Sequence, residues 1–258
     1  MTMVTRFAPS PTGYLHLGHV RNAMEVWNFA QEHGGRVLLR IEDHDRQRCR
    51  PEYEAAIRED LAWLGFTADE EVPRQSERDA AYREVLSGLV AQDLVYGCTC
   101  SRNDIINSHY DGTCRHLSIG LRDDVSWRIR MDPGVEHFDD LRMGAQEQDP
   151  SAQCGDVQIR DRLGNWTYQW AATIDDFLQN VTHVIRGEDL LDSTGRQIRL
   201  ARLAGRRDPA TFLHHSLIMK ADGRKLSKSD GDTSIRDLRH KGRSKEEVLY
   251  MALHGPSC

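Results

Sequence analysis

The sequence predicts an α/β chain: a doubly wound parallel sheet that carries a small β-rich insert with a candidate metal site. Three observations predict it. Short apolar runs alternate with amphipathic stretches up to Gln92. From about Tyr96 to Tyr168 the text changes to short strands and turns, and strand–helix alternation then returns. The length of 258 residues suits one large domain, or a domain with an insert, and 39% hydrophobic against 29% charged residues is enough to bury a core.

Taken in order, residues 4–8 form a β-type run that meets Pro9 and Pro11, and a turn with His16, Gly18 and His19 leads into a helix. Val20, Ala23, Met24, Trp27 and Ala30 recur at three- and four-residue steps on one helix face, which Gly34 and Gly35 end. Residues 36–41 (RVLLRI) suit a buried parallel strand, with Glu42, Asp43 and Asp45 at its carboxyl end, where open α/β sheets bind ligands. Pro51 opens a helix that runs to Leu64 and stops at Gly65. A second helix is expected over about residues 76–92, with Ser76 as N-cap and Tyr82, Leu86, Leu89 and Val90 inward. In the insert, SWRIRM and DVQIRDRLGNWTY read as strands, the latter turning at Gly164-Asn165. YQWAATIDDFLQ then reads as a helix, VTHVIRGEDL as a strand, STGRQIRLARLAG as a helix, and FLHHSLIMK as a last strand leading into ADGRKLSKSD. The expected division is 1–95, first half of the sheet domain; 96–168, the insert; and 169–258, the second half.

The formal net charge of −6 argues against a protein that coats nucleic acid nonspecifically, and leaves room for a local basic face. No apolar run approaches the roughly 20 residues that span a bilayer. The N-terminus MTMVTRFAPSP also lacks the layout of a signal peptide, so a soluble cytoplasmic protein with no membrane partner is expected. In such a setting the six cysteines point to metal or free thiols rather than disulfides.

Four stretches carry candidate chemistry. The turn at His16–His19 delivers a helix N-terminus, whose unpaired N–H groups and dipole favour an anion such as phosphate; an ordinary β-turn-α connection has the same pattern. Cys98, Cys100 and Cys114 can close most of a tetrahedral zinc shell, with Tyr110, His109, Asp111 and His116 all within reach as the fourth ligand. Such a metal would be structural, a staple for a small β insert. Cys49, Cys154 and Cys258 are scattered and read as incidental. RKLSKS (residues 224–229) offers two lysines on a loop, able to clamp phosphate or to stay solvated. Arg196, Arg199 and Arg202 recur at three-residue steps, with Arg206 and Arg207 beyond, as an RNA-facing or merely solubilising stripe. Trp166 and Trp170 are candidates for stacking on RNA bases.

HLGH near one end and KLSKS near the other, each after a strand, resemble the paired ATP-handling motifs of class I aminoacyl-tRNA synthetases. RFAPSPTGYLHLGH and LRIEDHDRQRCRPE resemble the glutamate-specific subgroup, and Tyr168, RGEDLL with Arg186, and the strand into KLSKS extend the likeness over nearly the whole chain. The resemblance implies a Rossmann-type catalytic domain that joins glutamate to AMP. It implies ATP contacts from His16, Gly18, His19, Lys225, Ser227, Lys228 and Ser229, with His16, His19, Lys225 and Lys228 catalytic. It implies a glutamate pocket of Arg6, Ala8, Ser10, Glu42, Tyr168 and Arg186. Mg²⁺ is expected with ATP.

The chain stops 29 residues after Ser229, where a glutamyl-tRNA synthetase goes on into an anticodon-binding domain; none is expected here. With the C-x-C…Y-x3-C insert, this layout is similar to the bacterial glutamyl-queuosine tRNA(Asp) synthetase family. That resemblance implies transfer of glutamate to queuosine at the wobble position of tRNA(Asp), a monomer, and Tyr110 as the fourth ligand beside Cys98, Cys100 and Cys114. Two alternatives stay open: a shortened discriminating enzyme charging the 3′ end of tRNA(Glu), and an inactive paralogue that only binds RNA or amino acid.

Overall fold

Two short apolar runs set the first sheet. β1 (Val4–Phe7) and β2 (Arg36–Leu39) pair in parallel, joined by α1 (Leu17–Glu32). α2 (Pro51–Leu64) then leads to the two-residue β3 (Glu70–Glu71), parallel to β2. Proline opens α2, and Gly65 closes it in the left-handed region at φ 86°. In this computed structural model the described residues are 2–105, 109–219 and 233–255. The chain divides into two compact units. The first comprises Met1–Gln75, Val181–Leu191 and Phe212–Cys258, and the second Ser76–Asn180 and Asp192–Thr211.

The pairing of β1 with β2 continues past the strands proper. Arg40 N–H donates to Phe7 O at 3.0 Å and Glu42 N–H to Pro9 O at 3.0 Å. With Arg6 opposite Leu38 in the register, the two-residue repeat of a strand puts Arg6, Ala8, Ser10, Leu38, Arg40 and Glu42 on one face. α1 buries Leu17, Val20, Ala23, Val26 and Ala30 in the first unit's core, with Phe7, Val37, Leu39, Ile41, Ile57 and Leu61.

The second unit opens with α3 (Asp79–Val90), then β4 (Val95–Cys98), β5 (Ser126–Ile129), β6 (Glu136–Asp140), β7 (Gly144–Gln148), α4 (Pro150–Cys154), β8 (Val157–Arg160) and α5 (Tyr168–Leu178). β4, β5 and β8 form an antiparallel sheet, and β6 with β7 forms a hairpin whose mostly polar residues carry no strand signal. The insert expected over 96–168 falls in this unit together with α3, α5 and the helix Thr194–Leu203. Ser76 is not the N-cap of α3: it lies in a 3-10 turn, and the cap is Arg78. The Arg78 guanidinium reaches the fully buried Asp175 on α5, whose second oxygen accepts from Tyr82 Oη at 2.8 Å. Tyr82, Leu86 and Leu89 point inward as expected, whereas Val90 is exposed. The Gly164-Asn165 turn ends on a single bridge, Arg160 with Trp166, rather than on a second strand. Trp166 and Trp170 belong to this unit's core, Trp170 fully buried, so neither ring offers a stacking face for RNA.

β9 (His183–Gly187) returns to the first unit beside β1: Thr182 N–H donates to Val4 O at 2.9 Å, and Arg6 Nη1 to Ile185 O at 3.4 Å. The two strands therefore run the same way. α6 (Thr194–Leu203) belongs to the second unit, and β10 (Thr211–His215) neighbours β9. The arginine stripe on α6 is largely committed within the protein. Arg199 is ion-paired with the buried Glu136, and Arg202 reaches the same carboxylate at 2.9 Å. α7 (Ile235–His240) and α8 (Lys245–His254) each start on a reciprocal serine–carboxylate cap, Ser234 with Asp237 and Ser244 with Glu247.

Candidate active site and metal centre

The carboxyl ends of β1, β2 and β9 gather most of the pocket expected from the sequence. Arg6, Glu42 and Arg186 are all buried there, at 5%, 5% and 4% exposure, while Ala8 and Ser10 are half-buried. Arg6 ends on the carbonyl of Ile185, the residue before Arg186. The Arg186 guanidinium is held from behind: Nε donates to His214 Nε2 at 3.0 Å, Nη2 to Leu190 O at 3.3 Å, and its carbon stands 5.5 Å from the Phe212 ring centre. Because His214 Nε2 accepts, the ring carries its proton on Nδ1. Ser10 Oγ lies 3.9 Å from Cys49 Sγ, whose thiol burial pushes up. Of the three acidic residues after β2, Glu42 alone is buried. Asp45 caps its own turn through Gln47 N–H and pairs with Arg48, which holds its carboxyl below the ordinary range although partial burial opposes it. Tyr168 stands half-buried in the first turn of α5, in the second unit.

Arg40, His214 and Phe212 were not singled out from the sequence. Arg40 is fully buried, and its Nη2 meets Glu42 Oε1 at 2.9 Å. The signal was present as an arginine two positions before a glutamate within an apolar strand, the spacing that puts both on one face.

The HLGH turn forms a reciprocal cap on α1. His16 Nδ1 accepts from Gly18 N–H at 3.1 Å, and His19 Nδ1 accepts from His16 N–H at 3.1 Å. Each Nδ1 is thus an acceptor, so each neutral ring carries its hydrogen on Nε2. The rings lie 3.9 Å apart at the N-terminus of a 16-residue helix with no acidic residue in its first turn. Two ring donors and a helix N-terminus of unopposed sign make an arrangement suited to phosphate oxygens. Gly18 is required by the cap, since a Cβ there would stand 2.9 Å from His16 Cε1. Lys225, Ser227, Lys228 and Ser229 lie outside the described residues. The chain re-enters the described structure at this turn: Ser234 forms a bridge with His16, and Ile235 N–H donates to Leu15 O at 2.8 Å.

In the second unit Cys98, at the end of β4, comes together with Cys100 and Cys114, their sulfurs all within 4.8 Å of one another. Cys100 and Cys114 sulfurs are 3.5 Å apart, and the Tyr110 hydroxyl lies 3.5 Å from Cys98 Sγ while accepting from Cys114 N–H at 2.8 Å. Donors on a tetrahedral Zn²⁺ at ordinary Zn–S distances stand about 3.8 Å apart, so the three thiols fit such an ion, with the Tyr110 hydroxyl beside Cys98. His109 faces Ser151 O at 3.2 Å, Asp111 caps Thr113, and His116 is exposed; none of them joins the thiols. The Arg128 guanidinium covers the Tyr110 ring at 3.7 Å, and Tyr110 bridges to Gly155, where a Cβ would fall 1.9 Å from Tyr110 O. Burial and its thiol neighbours push Cys100 up to about 12. Burial acts the same way on Cys114, but hydrogen bonds from Thr99 outweigh it and bring that thiol down to about 7.

The family model described as tRNA synthetases class I (E and Q), catalytic domain, matches residues 2–255. The glutamyl-Q tRNA(Asp) synthetase of Burkholderia cenocepacia is 43% identical over 89% of this chain and 81% of its own. That of Rhodobacter capsulatus is 38% identical over 95% of this chain and 98% of its own. A glutamate–tRNA ligase 2 from Syntrophus aciditrophicus is 39% identical over 98% of this chain, which spans 57% of that relative. Among solved structures, a glutamate tRNA ligase from Elizabethkingia meningosepticum, in complex with its amino acid, superposes with a TM-score of 0.83 at 30% identity, and this chain covers 60% of it. Among the described residues no helix is long and apolar enough to cross a membrane. An α/β fold with a parallel sheet, the strand-end site and a match across residues 2–255 place the chain in the class I tRNA synthetase family of the glutamate and glutamine group, as a catalytic domain.

Proposed function

We propose that the chain activates L-glutamate with ATP and transfers it to queuosine at the wobble position of tRNA(Asp). The observation that carries this reading is the likeness, at 38–43% identity over most of both chains, to relatives named glutamyl-Q tRNA(Asp) synthetase. In the first step a glutamate α-carboxylate oxygen attacks the ATP α-phosphorus. The acyl–phosphate bond forms, the bond to the β-phosphate breaks, and pyrophosphate leaves. His16 and His19 donate their Nε2 hydrogens to phosphate oxygens at the start of α1, and Lys228, assisted by Lys225, takes the charge that builds on the departing pyrophosphate. Gly18, Ser227 and Ser229 complete the nucleotide contacts. Mg²⁺ bound with ATP would offset phosphate charge.

Glutamate carries two carboxylates and one ammonium. Arg6 and Arg186 suit the carboxylates, and the buried Glu42 suits the ammonium. Ala8 and Ser10 lie on the same strand face, and Tyr168 is assigned to glutamate by the family resemblance alone. In the second step a cyclopentenediol hydroxyl of queuosine attacks the acyl carbon. AMP leaves, and its phosphate accepts the proton. Zn²⁺ would be held by Cys98, Cys100, Cys114 and Tyr110 as a structural ion. The enzyme works as a cytoplasmic monomer.

Exchange of labelled pyrophosphate into ATP tests the first step. Exchange should depend on glutamate and fail with glutamine or aspartate; equal exchange with glutamine would overturn the pocket assignment. The likeness to the ligase from Syntrophus aciditrophicus supports a second reading, in which the same adenylate charges the 3′ end of tRNA(Glu).

A further inference from the structure

We infer that Arg40 is a positioning residue for the amino-acid pocket: it locks the Glu42 carboxylate so that one oxygen stays turned to the substrate ammonium. The inference rests on the reading of that pocket given above.

The register supplies the first argument. Continued pairing of residues 40 and 42 with Phe7 and Pro9 places Arg40 level with Ala8 and Glu42 level with Ser10, all on the face that carries Arg6. Arg40 thus stands in the row of pocket residues and not behind the sheet. Charge supplies the second. Arg40 is 0% exposed and Glu42 5%, and a buried guanidinium within 2.9 Å of a buried carboxylate oxygen fixes that oxygen's direction far more tightly than a solvated pair would. Occupancy supplies the third. Arg40 takes Oε1, and among the described residues no side chain or backbone group hydrogen-bonds Glu42 Oε2. A carboxylate anchored through one oxygen, with the other open at the carboxyl end of a parallel strand, is prepared to accept an ammonium hydrogen without reorganising. Arg40 itself touches no reacting atom. It acts through Glu42.

Four variants test this by pyrophosphate exchange: Arg40→Met, Arg40→Lys, Glu42→Gln, and the double variant Arg40→Met/Glu42→Gln. Misplacing a binding group by about 1 Å costs about 100-fold. Arg40→Met should therefore raise the KM for glutamate by about 10- to 100-fold while leaving the KM for ATP within about twofold. Arg40→Lys, which keeps the charge but not the fork, should recover part of the loss. In the Glu42→Gln background, Arg40→Met should add less than about threefold, because the group it positions is already gone. Thermal melts run alongside. If Arg40→Met fails to fold, the double variant, which removes both members of the Arg40–Glu42 pair, and Arg40→Lys carry the test. A folded Arg40→Met enzyme with unchanged glutamate KM, or full multiplicativity in the double variant, overturns the inference. A wild-type enzyme without glutamate-dependent exchange defeats the underlying reading instead.

Discussion

At the strand ends of the first unit, Arg6, Arg40, Glu42 and Arg186 stand on paired backbone, and the ladder that continues to Glu42 sets which way each side chain faces. Cys98, Tyr110 and Cys114 in the second unit meet differently. They arrive from a strand end and two loops, and one close backbone approach, Tyr110 against Gly155, brings them together. Secondary structure organises the first site, so single changes there should alter rates while leaving the fold standing. In the second, each residue depends on the others, and on the zinc proposed for it, so single changes should appear as lost stability.

The sharpest way to break this contrast is Gly155→Ala. A methyl 1.9 Å from Tyr110 O, on a residue at φ +66°, has no room and the wrong backbone. We expect a loss of about 4 kcal/mol or more, against about 1 kcal/mol for Gly34→Ala, where φ is +59° but nothing lies within 4 Å. Paired thermal melts check this, and equal losses would mean that the cluster tolerates movement of its loop. Next comes removal of metal. Cys98→Ser, or a strong chelator, should strip about one zinc per chain and lower the melting temperature by about 10 °C, on the order of 3 kcal/mol. Metal analysis of purified wild-type protein that found no zinc would end the proposal. In the first unit, His19→Ala should lower glutamate-dependent exchange by about 100-fold, about 2.7 kcal/mol of barrier. The smallest stability change belongs to His16→Asn, which keeps a capping acceptor but loses the ring Nε2–H. It should melt within about 0.5 kcal/mol of wild type and still exchange more slowly. A His16→Asn enzyme that is fully active would reduce that histidine to a helix cap.

The two regions also differed in how far they could be read from the sequence. The strand-end site lies in contiguous stretches: residues 4–10 and 36–42 are adjacent parallel strands, and a period of two suffices to predict which side chains share a face. Even so Arg40 is not legible as a site residue, since an arginine in an apolar strand looks like an interruption until its counter-ion is seen beside it. His214 and Phe212 were invisible for another reason. They support Arg186 from a neighbouring strand 26 to 28 residues away in sequence, and no local pattern records such a pairing. In the second unit the cysteine spacing gave the thiols. The β6–β7 hairpin escaped because its mostly polar residues, EHFDD and GAQEQ, carry no strand signal. The arginine stripe on α6 and the tryptophans misled for one physical reason: residue types that suit RNA also suit a buried ion pair with Glu136 and an aromatic core.

The central claim concerns where the activated glutamate goes, and the position of the label on the RNA tests it most directly. Purified queuosine-bearing tRNA(Asp) and tRNA(Glu) are each incubated with the enzyme, ATP and labelled glutamate, then cut with a guanosine-specific ribonuclease and the fragments separated. The account predicts label on the anticodon fragment of tRNA(Asp) alone, and none on tRNA(Asp) that lacks queuosine. Label on the 3′-terminal adenosine of tRNA(Glu) would contradict it.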